Sequence, residues 1–146
     1  MTFGTTKDKA WVEALPTGSG SEFTGRTFSR FHVIGDSSGA TPTICEIWAT
    51  SDHAVEAHAH DASELLYVLD GVIELNGRRL QANDVVFIPK GDAYNARVLS
   101  AGGSHVLRVA FPAGGGSNIE AAEPEYAAKV WTGPLTAEGY PELKAL

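Results

Sequence analysis

The stretch that decides the fold is His58–Gly71, which reads HAHDASELLYVLDG. Side chains two residues apart in a β-strand point to the same face, so His58 and His60 are predicted to aim two imidazoles at one point. Residues 61–63 are polar or small and predict a turn or short link, after which Glu64 opens an apolar strand. Two neutral nitrogens and one returning carboxylate match the 2-His-1-carboxylate arrangement, which leaves coordination positions open for substrate, water or oxygen.

A histidine pair separated by one residue is common on protein surfaces and does not by itself indicate a metal site. This stretch adds Glu64 at a fixed offset, an apolar strand behind it, and Gly71 after six intervening residues. The pattern H-x-H-x3-E-x6-G resembles the first motif of the cupin superfamily. The glycine that opens the family motif, six residues before the first histidine, is replaced here by Asp52.

The second cupin motif, G-x5-P-x-G-x2-H-x3-N in consensus, is only partly present. Pro89 and Gly91 stand in their expected places. The remaining consensus positions are occupied by Asn83, Tyr94 and Val98. Tyr94 replaces the histidine that normally supplies a fourth ligand, so the resemblance, which covers about residues 41–112, departs from the family there.

The resemblance implies an all-β fold, a double-stranded β-helix or jelly-roll barrel, with short N- and C-terminal extensions. It also implies one divalent transition-metal ion held by His58, His60 and Glu64. Iron is expected first, with zinc, manganese or nickel as alternatives. Tyr94 is the predicted catalytic residue, and three roles are open to it. It is a phenolate ligand whose pKa of about 10 is lowered by the ion, a hydrogen-bond donor or general acid/base that stands off the ion, or inert, with water as the fourth ligand.

The rest of the chain supports an all-β interpretation. Short alternating or apolar runs between Gly, Pro and Asn-Gly turns predict about eight to ten strands and no convincing helix, which is typical of a sandwich or barrel. The predicted strands are 26–34, 42–49, 55–60, 64–69, 72–75, 78–80, 85–88, 94–99 and 105–111. Asn76-Gly77 is the strongest two-residue hairpin signal.

Two strand pairings are predicted from these positions. The strand at 64–69 is expected to partner the strand at 55–60, and the strands at 94–99 and 105–111 are expected to form the last hairpin. The chain is predicted to be one domain, 1–146, with its barrel core at about 26–112. The C-terminal extension, 113–146, is weakly helical at best, around 121–130.

Alternation along the strands selects candidates for the cavity wall. Trp48, Glu46 and His32 are predicted as substrate-binding residues, and a structural histidine with a satisfied hydrogen bond is the alternative for His32. In a hairpin centred near Gly102, Arg108 would share a face with Tyr94 and could bind a substrate carboxylate, although an outer-face ion pair is the alternative. In the same hairpin His105 lies about five residues from the level of Tyr94. At about 3.3 Å per residue it is expected to be too distant to act as a ligand.

Composition limits the partners and the compartment. The net charge of −7 argues against nucleic acid as a partner, because phosphate binding needs a basic patch. No apolar run approaches the roughly 18 residues of a membrane span, and the N-terminus lacks a secretory signal, so a cytoplasmic location is expected. The single Cys45 excludes an internal disulfide and is predicted to be a buried hydrophobe. Because cupins commonly pair through their sheets, a homodimer is expected, with Leu65 and Tyr67 at the subunit interface or in a second layer of packing.

Three functions are compatible with these residues. The first is an Fe(II) dioxygenase that acts on a small oxygenated organic molecule. The second is a non-oxidative lyase, isomerase or cyclase in which the ion is a Lewis acid and Tyr94 the acid/base. The third is a ligand-binding or sensing protein without catalysis. Fold alone does not choose between them.

Overall fold

The computed structural model describes residues 11–13, 23–33, 41–60 and 62–112. Within these ranges every regular element is a β-strand. The strands are β1 (Trp11–Glu13), β2 (Phe23–Thr24), β3 (Thr27–Val33), β4 (Thr43–Ala49), β5 (Ala54–His58), β6 (Ala62–Asp70), β7 (Val72–Leu75), β8 (Arg78–Gln81), β9 (Val85–Ile88), β10 (Tyr94–Val98) and β11 (Ser104–Pro112).

The strands form two antiparallel sheets. Sheet A has the order β1-β3-β4-β11-β6-β9, and sheet B has the order β2-β5-β10-β7-β8. Buried apolar residues from both sheets form one core between them: Ala49, Leu66, Val68, Ile88 and Val106 from sheet A, and Ile73, Leu75, Leu80 and Val98 from sheet B. This arrangement confirms the predicted all-β jelly-roll fold.

Two turns have positive φ angles, a backbone conformation that favours glycine and asparagine. Asn76 and Gly77 have φ values of 48° and 78°, and they connect β7 to β8 as the predicted hairpin. Gly71, the last residue of the first motif, has φ +80°, and a Cβ there would collide with the carbonyl oxygen of Gly103. Only glycine combines this conformation with so close a backbone approach.

Both predicted strand pairings are wrong. β10 pairs with β5 and β7 in sheet B, whereas β11 pairs with β4 and β6 in sheet A, so these two strands do not form a hairpin. Likewise β5 and β6 lie in different sheets. The physical reason is that crossing between sheets gives β10 and β11 a partner on each side, which pairs their backbone groups more fully than an isolated hairpin would.

The N-terminal strand packs against sheet A, and the predicted C-terminal extension lies elsewhere in the chain. Trp11 is buried and packs with Phe28 and Trp48. The extension 113–146, with its predicted helix at 121–130, lies outside the described residues. No helix in the described ranges is long and apolar enough to span a membrane.

Candidate metal centre

The residues of the first motif converge with Tyr94 between the two sheets. His58 ends β5 and lies directly opposite Tyr94 on the neighbouring strand β10. Glu64 comes from β6 in sheet A and is completely buried, and His60 is buried in the link between the two sheets. The ring centroid of His58 lies 4.8 Å from that of His60 and 4.6 Å from that of Tyr94.

Tyr94 bridges two of the predicted ligands. Its hydroxyl donates to Oε2 of Glu64 at 3.1 Å and lies 3.0 Å from Nε2 of His60. Because the single hydroxyl proton is used on Glu64, Nε2–H of His60 must donate to the phenol oxygen. Nδ1 of His60 then carries a lone pair. It is buried, lies 3.7 Å from Oε1 of Glu64, and has no hydrogen-bond partner among the described residues.

Both imidazoles are prepared to act as neutral ligands. Nδ1–H of His58 donates to the backbone oxygen of Glu56 at 2.8 Å, which leaves the lone pair of Nε2 available. Burial lowers the pKa of His58 despite that hydrogen bond, and the charge of Arg108 lowers it further. Burial, followed by Arg108 and His58, lowers the pKa of His60 to about 2. Neutral imidazole is the form that binds metals.

Arg108 completes this group, which we call the inner cluster: His58, His60, Glu64, Tyr94 and Arg108. Its Nε donates to Oε1 of Glu64 at 2.7 Å, and its Nη2 contacts the same oxygen. Arg108 therefore lies beside Tyr94 as predicted, although it reaches this position by pairing with Cys45 and Leu66 rather than with Ala96. Cys45 is buried, as predicted, and this burial raises the pKa of its thiol.

The donor types of the inner cluster fit a divalent ion. Two neutral imidazoles, one of them with an unpartnered buried nitrogen, lie beside a buried carboxylate. In the present arrangement, however, Arg108 and Tyr94 occupy the two oxygens of Glu64. Accordingly, across residues 11–13, 23–33, 41–60 and 62–112 no three His, Cys, Asp or Glu side chains are already placed to hold a metal. Oε1, the oxygen that lies 3.7 Å from Nδ1 of His60, receives two nitrogens of Arg108, so an ion between these two atoms would compete with Arg108.

Three predicted substrate-binding residues are not brought to the inner cluster. Arg108 pairs with Cys45, so the face of β4 that carries Cys45 points toward the cluster. Glu46 and Trp48 lie at alternate positions and point to the opposite face. His32 contacts Glu46 there. The prediction that they share a cavity with Glu64 is corrected, because both faces of β4 carry apolar residues and the pattern did not identify the inner one.

These residues instead form an outer cluster: Arg30, His32, Glu46 and His105. Glu46 accepts hydrogen bonds from Nη2 of Arg30 at 2.8 Å and from Nε2 of His105 at 2.6 Å. Its other oxygen lies 2.7 Å from Nε2 of His32. Trp11 covers the cluster, with the guanidinium of Arg30 4.5 Å from its ring centroid. His105 is therefore held away from Tyr94, as expected, although by a contact the sequence did not indicate.

A cavity of about 510 Å³ opens beside Tyr94 between β7, β8 and β9. Its apolar wall includes Leu75, Leu80, Val86 and Ile88. The cavity was not predicted from the sequence, because such residues are typical of a core. Arg78 also lines the cavity and directly follows the Asn76-Gly77 turn. This charged residue after the turn was the sequence feature that could have indicated the cavity.

No protein-family profile matches the chain, and no curated protein sequence matches it significantly. Several solved structures do superpose on it. A predicted oxalate decarboxylase from Thermotoga maritima has a TM-score of 0.61 and 16% identity, covering 75% of this chain and 97% of that chain. An RmlC-like cupin from Ralstonia eutropha JMP134 has a TM-score of 0.62 and 16% identity, covering 82% of this chain and 76% of that chain.

A candidate acetylacetone dioxygenase from Methylibium petroleiphilum PM1 has a TM-score of 0.67 and 12% identity, covering 91% of this chain and 95% of that chain. At such identities the likeness establishes the fold and leaves the activity open. Together with the two sheets and the motif residues between them, it shows that this chain has the fold of the cupin superfamily.

Proposed function

We propose that this protein is a metal-dependent dioxygenase that acts on a small oxygenated organic molecule. The ion is held by His58, His60 and Glu64, with iron as the first choice and zinc, manganese or nickel as alternatives. The observation that carries the proposal is the buried, unpartnered Nδ1 of His60 beside Glu64. Two nitrogens and one carboxylate are the donor set of non-haem iron oxygenases. The likeness to a candidate acetylacetone dioxygenase agrees with this choice at the level of the fold.

When bound, the ion would supply open coordination positions for substrate and oxygen. The reaction needs no external reductant, because both atoms of O2 enter the product as one bond of the substrate is cleaved. Tyr94 lines the cavity and touches His60 and Glu64, so it is placed to donate or accept a proton at a substrate oxygen. The guanidinium of Arg108 would hold an acidic group of the substrate. Leu75, Leu80, Val86 and Ile88 in the cavity wall would contact the apolar part of the substrate.

Oxygen consumption tests the proposal. Protein reconstituted with Fe(II) without oxygen is offered β-diketones, 2-oxo acids, enols and phenols in an oxygen electrode, and iron content is measured in parallel. We expect uptake with one class, and its loss in His58→Ala, His60→Ala and Glu64→Gln. His105→Ala is the matched control, because this histidine belongs to the outer cluster. Iron-loaded protein that consumes no oxygen with any class would contradict the proposal.

A second function is favoured by the position of Tyr94. Its hydroxyl already shares hydrogen bonds with an imidazole and a carboxylate, which gives a path for moving a proton. A lyase, isomerase or cyclase would use this path with the ion as a Lewis acid. Tyr94→Phe distinguishes the two. Loss of turnover with metal retained, in a parent protein that consumes no oxygen, favours the non-oxidative reaction.

A further inference from the structure

The charge of Glu64 is balanced by a cation that belongs to the chain itself. Glu64 is completely buried, and Oε1 receives both Nε and Nη2 of Arg108. The side chain of Arg108 is itself only 14% exposed. The guanidinium and the carboxylate therefore neutralise each other inside the protein. A buried carboxylate needs a positive partner to offset its desolvation. Arg108 supplies the positive charge that a metal ion bound to Glu64 would otherwise supply.

A divalent ion on Glu64 would therefore be placed beside a fixed positive charge. Arg108 and Glu64 balance each other's charge, and an imidazole binds a metal in its neutral form, so the residues around the ion would carry no net charge. Adding the ion leaves two positive charges uncompensated in a buried site. A charge within about 4–6 Å changes the equilibrium of a neighbouring charged group by roughly tenfold to a thousandfold, and a like charge disfavours it.

We propose that Arg108 competes with the metal ion for Glu64, and that its guanidinium sets the affinity of this site for divalent cations. The inference rests on the proposed function, because it concerns the same three ligands. Arg108 acts here as a positioning residue. It occupies Oε1, the carboxylate oxygen 3.7 Å from Nδ1 of His60, so an ion bound between these two atoms must displace the guanidinium. A site built this way binds metal weakly for its donor set.

Titration with Co2+ tests the proposal, because affinity is measured by calorimetry and coordination by the visible absorption of the ion. We expect Arg108→Met to bind Co2+ more tightly than the parent protein, by on the order of tenfold or more. Arg108→Lys keeps the charge but loses the two-point contact, so a smaller increase is expected. The gain in Arg108→Met should disappear when His60→Ala is added, which shows that the ion is at this site.

Arg97→Met is the matched control. Nε of Arg97 lies 2.8 Å from Oε1 of Glu74, a geometry close to that of the Arg108 pair, but Arg97 is 59% exposed. Its replacement should change the affinity for Co2+ by less than about twofold, because charges in water are screened.

A measurement on the unaltered protein covers the case in which Arg108→Met fails to fold. In arginine-labelled protein, the Nε–H NMR signal of Arg108 is assigned by its absence in Arg108→Lys. It should shift when the diamagnetic ion Zn2+ binds, whereas that of Arg97 should stay. A stationary Arg108 signal at saturating Zn2+, or equal affinity for Co2+ in Arg108→Met and the parent, overturns the inference and leaves the proposed metal site standing. If neither protein binds Co2+, both proposals fall.

Discussion

The inner and outer clusters lie on opposite faces of sheet A and contain the same types of side chain. Each has one buried carboxylate, one guanidinium, two imidazoles and an aromatic ring. In the outer cluster the guanidinium and both imidazoles bond to Glu46. In the inner cluster, as far as the described residues go, neither imidazole hydrogen-bonds to Glu64, which is held by Arg108 and Tyr94. The outer cluster thus uses its histidines for structure, and the inner cluster keeps them available.

The ionisation of the two clusters agrees with this contrast. Burial raises the pKa of Glu46, but hydrogen bonds from Arg30 and His32, the charge of Arg30 and a bond from His105 outweigh it, and the pKa lies below its ordinary value. In the inner cluster the imidazoles have lowered pKa values because they are buried and face Arg108. In the outer cluster the histidines help to balance the carboxylate, whereas in the inner cluster Arg108 does so and burial keeps the imidazoles neutral.

The largest expected effect comes from removing the inner carboxylate. Glu64→Leu leaves the buried charge of Arg108 without its partner, so the free energy of unfolding should fall by about 3–5 kcal/mol. Urea denaturation of the metal-free protein measures this. Adding Arg108→Met should restore much of the loss, because an apolar pair replaces the ion pair. An unchanged urea midpoint in Glu64→Leu would show that the pair is not formed.

Removing the outer carboxylate should cost less and leave metal binding intact. Glu46→Gln weakens three hydrogen bonds to a side chain that is 10% exposed, and we expect a loss of about 2 kcal/mol in urea denaturation. Co2+ affinity should stay within about twofold, since the cluster lies on the opposite face. Glu74→Gln, in the exposed pair with Arg97, is the control, with a change within about 0.5 kcal/mol. Altered metal affinity in Glu46→Gln would contradict the separation of the two clusters.

Acid should remove the difference in the free energy of unfolding between Glu46→Gln and the parent protein. The pKa of Glu46 is lower in the folded protein than its ordinary value of 4.5. The unfolded chain therefore binds more protons as the pH falls, and the stability that Glu46 contributes is present above about pH 4.5 and lost below it. Denaturation curves from pH 7 to pH 3 should converge in this window. A difference in the free energy of unfolding that stays constant from pH 7 to pH 3 would mean that the charge of Glu46 contributes no stability.

The smallest expected effect on stability is that of Tyr94→Phe. It removes the hydroxyl between His60 and Glu64, and we expect a loss of about 1 kcal/mol in thermal or urea unfolding. Tyr67→Phe is the matched control, because the hydroxyl of Tyr67 bonds to Asn83 at an exposed position. A larger loss in Tyr67→Phe than in Tyr94→Phe would argue against the inner network.

Local sequence signals predicted the strands well and their partners poorly. β7 (Val72–Leu75) and β9 (Val85–Ile88) have the predicted bounds, because turn residues delimit them on both sides. The same signals could not decide whether the chain at Gly102 and Gly103 makes a hairpin or crosses between sheets. A short glycine-containing loop allows both, and the choice depends on which pairing satisfies distant strands.

Alternation had a similar limit in the candidate site. It correctly separated Glu46 and Trp48 from Cys45 on β4, but it assigned the wrong face to the interior. A strand with apolar residues on both faces does not reveal its inner face. Arg108 was placed beside Tyr94 from a hairpin that does not exist, so a correct position was reached through an incorrect pairing.

The sequence by itself placed part of the inner cluster together. The spacing of His58, His60 and Glu64 predicted one group from strand periodicity, and the resemblance to the second cupin motif added Tyr94 to it. Only the tertiary structure decided that Glu64 reaches that group from the opposite sheet and that Arg108 balances its charge. Those contacts join residues far apart in sequence, and they depend on strand order and register, which local pattern does not encode.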